Sequence, residues 1–266
     1  MNAMKNSIKT GILAFAAVAL MASCTKKEGC MDPNALNYDP EAETDCCCEY
    51  STEFDMMLHL HNYVGPTTLA TGGAYGVYGV DVQFDLVKFY VSNVRLVEAD
   101  GDEVASDAYL LVEPGTMMYD AGAFPEGNYT KLRFDVGIDS VTNHADPSVY
   151  PVNDPLGPQF PTMHWSWDAG YIFVRIDAQA DQDMDGTFET PFEMHIGKDA
   201  NLRTVELDLP LNGEAGNNYT AHINVNWLDF FDGVDMSGDL TTHTGDNPDL
   251  TTILVGNIEG MFSIEE

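Results

Sequence analysis

Tyr219-Thr-Ala-His-Ile-Asn-Val-Asn-Trp227 is the stretch whose reading decides the fold. Tyr219, Ala221, Ile223, Val225 and Trp227 alternate with Thr220, His222, Asn224 and Asn226. A period of two turns one face to a core and the other to water, which marks a half-buried strand of an antiparallel sheet. Leu132, Phe134, Val136 and Ile138 repeat the pattern against Lys131, Arg133 and Asp135, and so do Ile172, Val174 and Ile176 and then Val205, Leu207 and Leu209. Turn-rich stretches such as 212–218 separate them. The expected fold is all-β, an antiparallel β-sandwich with long loops. Only the tail departs: Leu250, Ile253, Leu254 and Ile258 recur at helical spacing and predict a short C-terminal helix. The long loops, 144–158 (Pro-rich) and 229–247 (rich in Asp, Gly and Thr), are where a rigid sandwich usually carries its sites.

The 266 residues hold 11 basic against 43 acidic side chains, a formal charge of −32 that excludes binding to nucleic acid, whose phosphates need Lys and Arg. It equally disfavours docking to an anionic membrane through a basic patch. With 44% hydrophobic residues the chain can still bury a substantial core.

Lys5 and Lys9 precede an apolar run over 11–21, followed by Ala22-Ser23-Cys24. That is the anatomy of a signal peptide, and its small-small-Cys ending resembles a bacterial lipobox. The expectation is cleavage after residue 23 and lipidation of Cys24. The mature protein would then sit at the cell envelope, touching the outer membrane only through its anchor, on the periplasmic or the surface face. Residues 24–53 read as a Cys-containing spacer and 54–266 as the sandwich domain. The stretch 29–50 resembles a Cys-bounded module of secreted Bacteroidetes proteins, a resemblance that implies pairing of Cys30 with Cys48. It leaves Cys46 and Cys47 open, with a metal-binding Cys cluster as the alternative.

His59 and His61 lie two apart on one strand, so their rings share a face about 7 Å apart at the backbone. Two such rings suit one metal ion, or simply a solvated face. His164 heads the aromatic cluster Met163-His-Trp165-Ser-Trp167-Asp-Ala-Gly-Tyr171. His195 alternates against Phe192, Met194 and Ile196 and is expected on the wet face, as is His222 on its own strand. Imidazole with nearby thioether suits copper or zinc better than calcium or magnesium. A separate calcium candidate is Asp181, Asp183, Asp185, Thr187 and Glu189, carboxylates on alternate residues around Gly186, with an acidic hairpin turn as the plain alternative. No HExxH, paired CxxC, Gly-rich phosphate loop or Gly-x-Ser-x-Gly elbow occurs, so no enzyme class has motif support.

Tyr90-Val-Ser-Asn-Val-Arg-Leu96, the Trp165-x-Trp167…Gly170-Tyr171 segment, Phe192-Glu-Met-His195-Ile-Gly197 and finally His243, Asn257 and Met261-Phe262 resemble, in that order, the MbnP-like family of copper-binding envelope proteins. The resemblance runs from about residue 54 to 264. It implies copper held through His side chains, a Trp at the site oxidised to kynurenine, and a dihaem partner of the cytochrome c peroxidase type. Carried over, Trp165 or Trp167 is the oxidised residue, with Met163 and Tyr171 beside it. His61, His195 and His243 match family histidines, and His164 stands where many relatives have Tyr. Alternation leaves His195 wet where a copper site wants shelter; loop 229–247 folding His243 over it would reconcile the two. The competing expectation is a non-catalytic acidic sandwich that presents its loops to a protein or glycan.

Overall fold

The computed structural model describes residues 26–166 and 169–265; the expected signal peptide, the expected lipidation site Cys24, and Trp167 lie outside them. The chain divides into two compact units, residues 1–50 and 51–266. In the first, Cys30 and Cys48 form a disulfide across a separation of 18 residues. Cys46 and Cys47, left open by the sequence, are bonded to each other. Lys27 pairs with Asp39 at 2.7 Å and with Glu41 at 3.1 Å. Among the described residues of this unit only Cys30 and Ala35 are buried apolar groups. A cross-link closing a loop of that length contributes roughly 3 kcal/mol, which so small a core needs.

The second unit is built on ten principal strands. They are β1 (Glu53–Val64), β2 (Val80–Glu98), β3 (Met118–Pro125), β4 (Gly127–Val136), β5 (His164–Ser166), β6 (Gly170–Asp181), β7 (Thr190–Gly197), β8 (Arg203–Gly213), β9 (Asn218–Asn226) and β10 (Phe262–Ile264). One sheet runs β6-β2-β4-β8, with β5 and β7 on the free edge of β6. The other runs β10-β9-β1, with β3 on the far edge of β1. All pairings among these strands are antiparallel except β1 with β9, which run parallel, a departure from the uniform antiparallel expectation. The wet and dry faces fall where the alternation puts them: Phe54, Met56, Leu58 and Leu60 of β1 point inward, as do Ala221, Ile223 and Val225 of β9.

The two inner faces share one core. Phe262 of the second sheet packs edge-on against Phe134 (5.2 Å between centroids) and Phe89 (5.9 Å) of the first. Trp227, fully buried at the end of β9, meets Phe89 at 5.6 Å and donates its indole N–H to Asn62 Oδ1 at 2.9 Å. The expected terminal helix spans Pro248–Asn257, started by the Asn247 side chain, which accepts from the Leu250 N–H. Leu250 and Leu254 are buried and Ile258 follows them inward, whereas Ile253 is 37% exposed. Loop 144–158 is more anchored than its composition predicts. Leu156 is buried, and the hydroxyls of Tyr90 and Tyr171 donate to the carbonyls of Pro155 and Leu156.

Phe134→Ala removes the ring that ties the sheets together and should cost about 3–5 kcal/mol in urea unfolding. A loss below about 1 kcal/mol would show that the Phe134–Phe262 contact does not join the layers.

Candidate metal centres

Period-two alternation places His59 and His61 on the outer face of β1. The parallel register sets His222 of β9 directly opposite His59. The rings of His59 and His61 lie 4.0 Å apart between centroids, and those of His59 and His222 4.8 Å apart. His59 Nδ1 meets His222 Nδ1 at 3.0 Å. Glu265, just past β10, reaches His61 Nε2 at 3.2 Å and His222 Nδ1 at 3.5 Å. Burial holds the His59 imidazole below its ordinary range, and the neighbouring His61 and His222 push the same way. The sequence reading left His222 as a solvated residue because pairing between distant strands is not visible from one of them alone.

The second cluster sits on the outer face of the other sheet. Phe192, Met194 and Ile196 point into the core as expected, and His195 points away from it, yet His195 is only 5% exposed. Its cover is loop 229–247. Thr242 bonds along β7, accepting from the His195 N–H and donating its own N–H to the Glu193 carbonyl, both at 2.8 Å. The Thr244 hydroxyl donates to the His195 carbonyl and accepts from the Gly197 N–H, both at 2.9 Å. The loop thus becomes an extra edge to the sheet, and the His195 and His243 rings stand 4.9 Å apart, nearly perpendicular. The expectation of a wet His195 fails because alternation reports which side of a sheet a residue faces and not what lies over it.

Each ring is steered by a carboxylate. His195 Nε2 meets Asp177 Oδ1 at 2.7 Å, His243 Nδ1 meets Asp246 Oδ2 at 2.9 Å, and His243 Nε2 meets Glu193 Oε2 at 3.0 Å. Burial opposes ionisation of Asp177, but the hydrogen bond from His195 and the Arg175 guanidinium outweigh it and hold the carboxyl below its usual range. Asp246 raises His243, against the effect of burial, and Glu193 adds to it. With Nε2 of His195 and Nδ1 of His243 engaged by Asp177 and Asp246, an ion would take Nδ1 of His195 and would enter between His243 Nε2 and the Glu193 carboxylate that now meets it. A carboxylate on the opposite nitrogen is the usual arrangement around metal-bound imidazole. Glu193, His195 and His243 bring one ligand atom each within 4.8 Å of one another. Two imidazoles and a carboxylate are a donor set that a first-row transition ion accepts. Sequence signals for the carboxylates existed: Glu193 shares a face with His195, and Asp246 lies three residues after His243 in a loop.

Trp165 packs on β7, the strand that bears His195. A Cβ at Gly197 would lie 2.6 Å from the Tyr171 carbonyl oxygen and 2.7 Å from the Trp165 ring, so only glycine lets the indole pack there. Gly197 and His195 are two apart on β7 and share a face. Met163 and Tyr171 join a second hydrophobic cluster with Tyr90, Ile138, Leu156, Ile172 and Phe173, and Trp165 packs against that cluster as well. His164 belongs to neither histidine cluster; its ring packs against the Tyr171 ring at 4.8 Å, and its buried Nε2 has no hydrogen-bond partner among the described residues. His144 meets Asp199 at 3.4 Å.

Residues Asp181 to Glu189 form the turn between β6 and β7. Asp181 is buried, and its two oxygens accept the N–H groups of Asp185 and Gly186 at 3.0 and 2.9 Å. Thr187 bonds to Asp185 and Glu189. Burial, with the charges of Asp185, Glu189 and Asp181, raises the Asp183 carboxyl. Asp181, Asp183 and Asp185 could converge on a cation, and the same contacts also hold an acidic hairpin turn without one.

The sequence model of the MbnP family matches residues 53–248. Among solved structures, MbnP from Methylosinus trichosporium is similar, with a TM-score of 0.52 and 18% identity over 74% of this chain and 87% of that one. At that identity the likeness is one of fold. No curated protein matches.

Because His243 is raised when folded, its ion pairs stabilise the metal-free protein fully below about pH 6.5 and lose that effect as pH climbs through the raised value. Wild type should therefore exceed His243→Ala in thermal midpoint by more at about pH 5.5 than at about pH 8.5. A gap that widens toward alkaline pH would contradict the pairing with Asp246 and Glu193.

Proposed function

This chain belongs to the MbnP family, and from that premise we propose that it is a lipid-anchored envelope protein that holds copper between His195 and His243, beside Trp165. The observation that carries the reading is the close pairing of buried His195 with half-buried His243. Two distant segments converge on it, each ring is oriented by its own carboxylate, and a glycine two residues from His195 keeps an indole against the same strand.

Copper is cargo here, and the chain's own groups do the holding. Asp177 and Asp246 fix the tautomer and aim of the two rings, and Glu193 supplies a third donor within reach. The segment Thr242–Thr244 shelters His195 from water. Arg175 keeps Asp177 ionised. Of the two tryptophans expected from the sequence, Trp165 is the one we assign to oxidation, since its ring lies against the strand that bears His195. Kynurenine in its place would bring an aromatic amine and a ketone to the edge of the site, and the dihaem partner would be the oxidant. The protein binds and hands over the ion without transforming a substrate. The N-terminal Lys5–Cys24 pattern supports export and lipidation, and the surplus of carboxylates favours attraction of cations over anions.

Copper loading followed by desalting should leave about one ion per chain at this centre. His195→Ala or His243→Ala should lower the copper retained by about one ion per chain relative to wild type, and intact mass should show conversion of one Trp to kynurenine in protein made with its oxidising partner. Retention unchanged in both variants would remove the assignment.

A further inference from the structure

The histidines of β1 and β9 are left unused by that reading, and they are arranged as ligands. We propose that His59, His61 and His222, with Glu265 at the rim, form a second transition-metal site, on the opposite face of the sandwich, for a divalent ion of the zinc and copper(II) class.

The geometry carries the assignment. An ion with bonds of about 2.0–2.1 Å in a tetrahedral site holds its ligand atoms about 3.3–3.4 Å from each other. The contacts here are 3.0 Å from His59 Nδ1 to His222 Nδ1, 3.2 Å from His61 Nε2 to Glu265 and 3.5 Å from His222 Nδ1 to Glu265. One ligand atom from each of the three histidines lies within 4.8 Å of the others. No other side chain of β1 or β9 has to move to bring them together, because strand period and register already do so.

The same atoms are poorly served without an ion. Two Nδ1 atoms facing each other share a single hydrogen, so one of them must offer a lone pair to the other's N–H. His61 Nε2 is buried and, although 3.2 Å from Glu265, makes no hydrogen bond of acceptable direction. A plain solvated face would turn these nitrogens to water; here the two Nδ1 atoms meet each other and His61 Nε2 is buried. The Tyr63 ring lies parallel to that of His61, 6.2 Å between centroids. Three imidazoles and one carboxylate exclude calcium and magnesium, which take oxygen ligands, and suit zinc or copper(II). The site stands independently of the copper reading, since it shares no residue with it and occupies the other sheet.

The test uses zinc alone, titrated into purified protein and counted by elemental analysis after desalting. A His195→Ala/His243→Ala double variant should still retain one zinc per chain. Added to that double variant, His59→Ala and His222→Gln, both outward-facing changes on intact strands, should weaken zinc binding at least about tenfold, and made alone they should leave the copper at His195–His243 in place. Thermal midpoints of the variants check that the fold survives, and His222→Gln is the milder change should His59→Ala fail to fold. Three outcomes overturn the proposal: no zinc retained by wild type, zinc lost in the double variant, or zinc affinity unchanged when His59→Ala and His222→Gln are added to it. Loss of copper retention in the double variant bears on the other centre alone.

Discussion

The parallel pairing of β1 with β9 is the constraint on which the rest of the second unit depends. Parallel neighbours cannot be joined by a tight turn. The chain therefore lays down the whole of the first sheet between them, visits the far edge of β1 with β3 on the way, and reaches the near edge only at Asn218. One register satisfies the core, with Ala221, Ile223 and Val225 inward beside Leu58 and Leu60. A slip of a single residue would exchange those apolar groups for His222 and Asn224. The hydrophobic requirement inside thus fixes the imidazole geometry outside, and Trp227 locks the end of the pairing by bonding to Asn62.

Everything after Trp227 builds on that lock. The chain crosses back over the first sheet, seats Thr242 and Thr244 along β7, caps a helix with Asn247 and closes with β10 beside β9. Each histidine cluster therefore combines an early strand with something that arrives late: His222 and Glu265 in one, the His243 loop in the other. Neither can be complete before the C-terminal third has docked.

What the sequence discloses and what it hides divide along this line. Period-two runs such as Leu132–Ile138 and Tyr219–Trp227 disclose which faces are dry, because that property is local to a strand. The Gly197 position in His-Ile-Gly and the Trp165 segment are legible through resemblance, and the close packing of indole on glycine supplies their physical reason. The exposure of His195 misleads, because a covering loop leaves no mark on the strand it covers. His222 goes unnoticed for a related reason: its partner is 163 residues away and register is not written in either strand alone. Met163 and Tyr171, grouped with Trp165 by neighbourhood in sequence, sit in the hydrophobic cluster against which the Trp165 ring packs.

The seating of loop 229–247 on β7 has a kinetic consequence. The covering segment is fastened by backbone and hydroxyl hydrogen bonds at Thr242 and Thr244, and Thr251 of the terminal helix bonds to both residues from behind. His243 keeps 39% of its side chain in water, so an ion held between the two rings can enter and leave on that side without the segment opening. What the fastening preserves is the spacing of the rings, so a load binds to a seat already formed and does not wait for the loop to order.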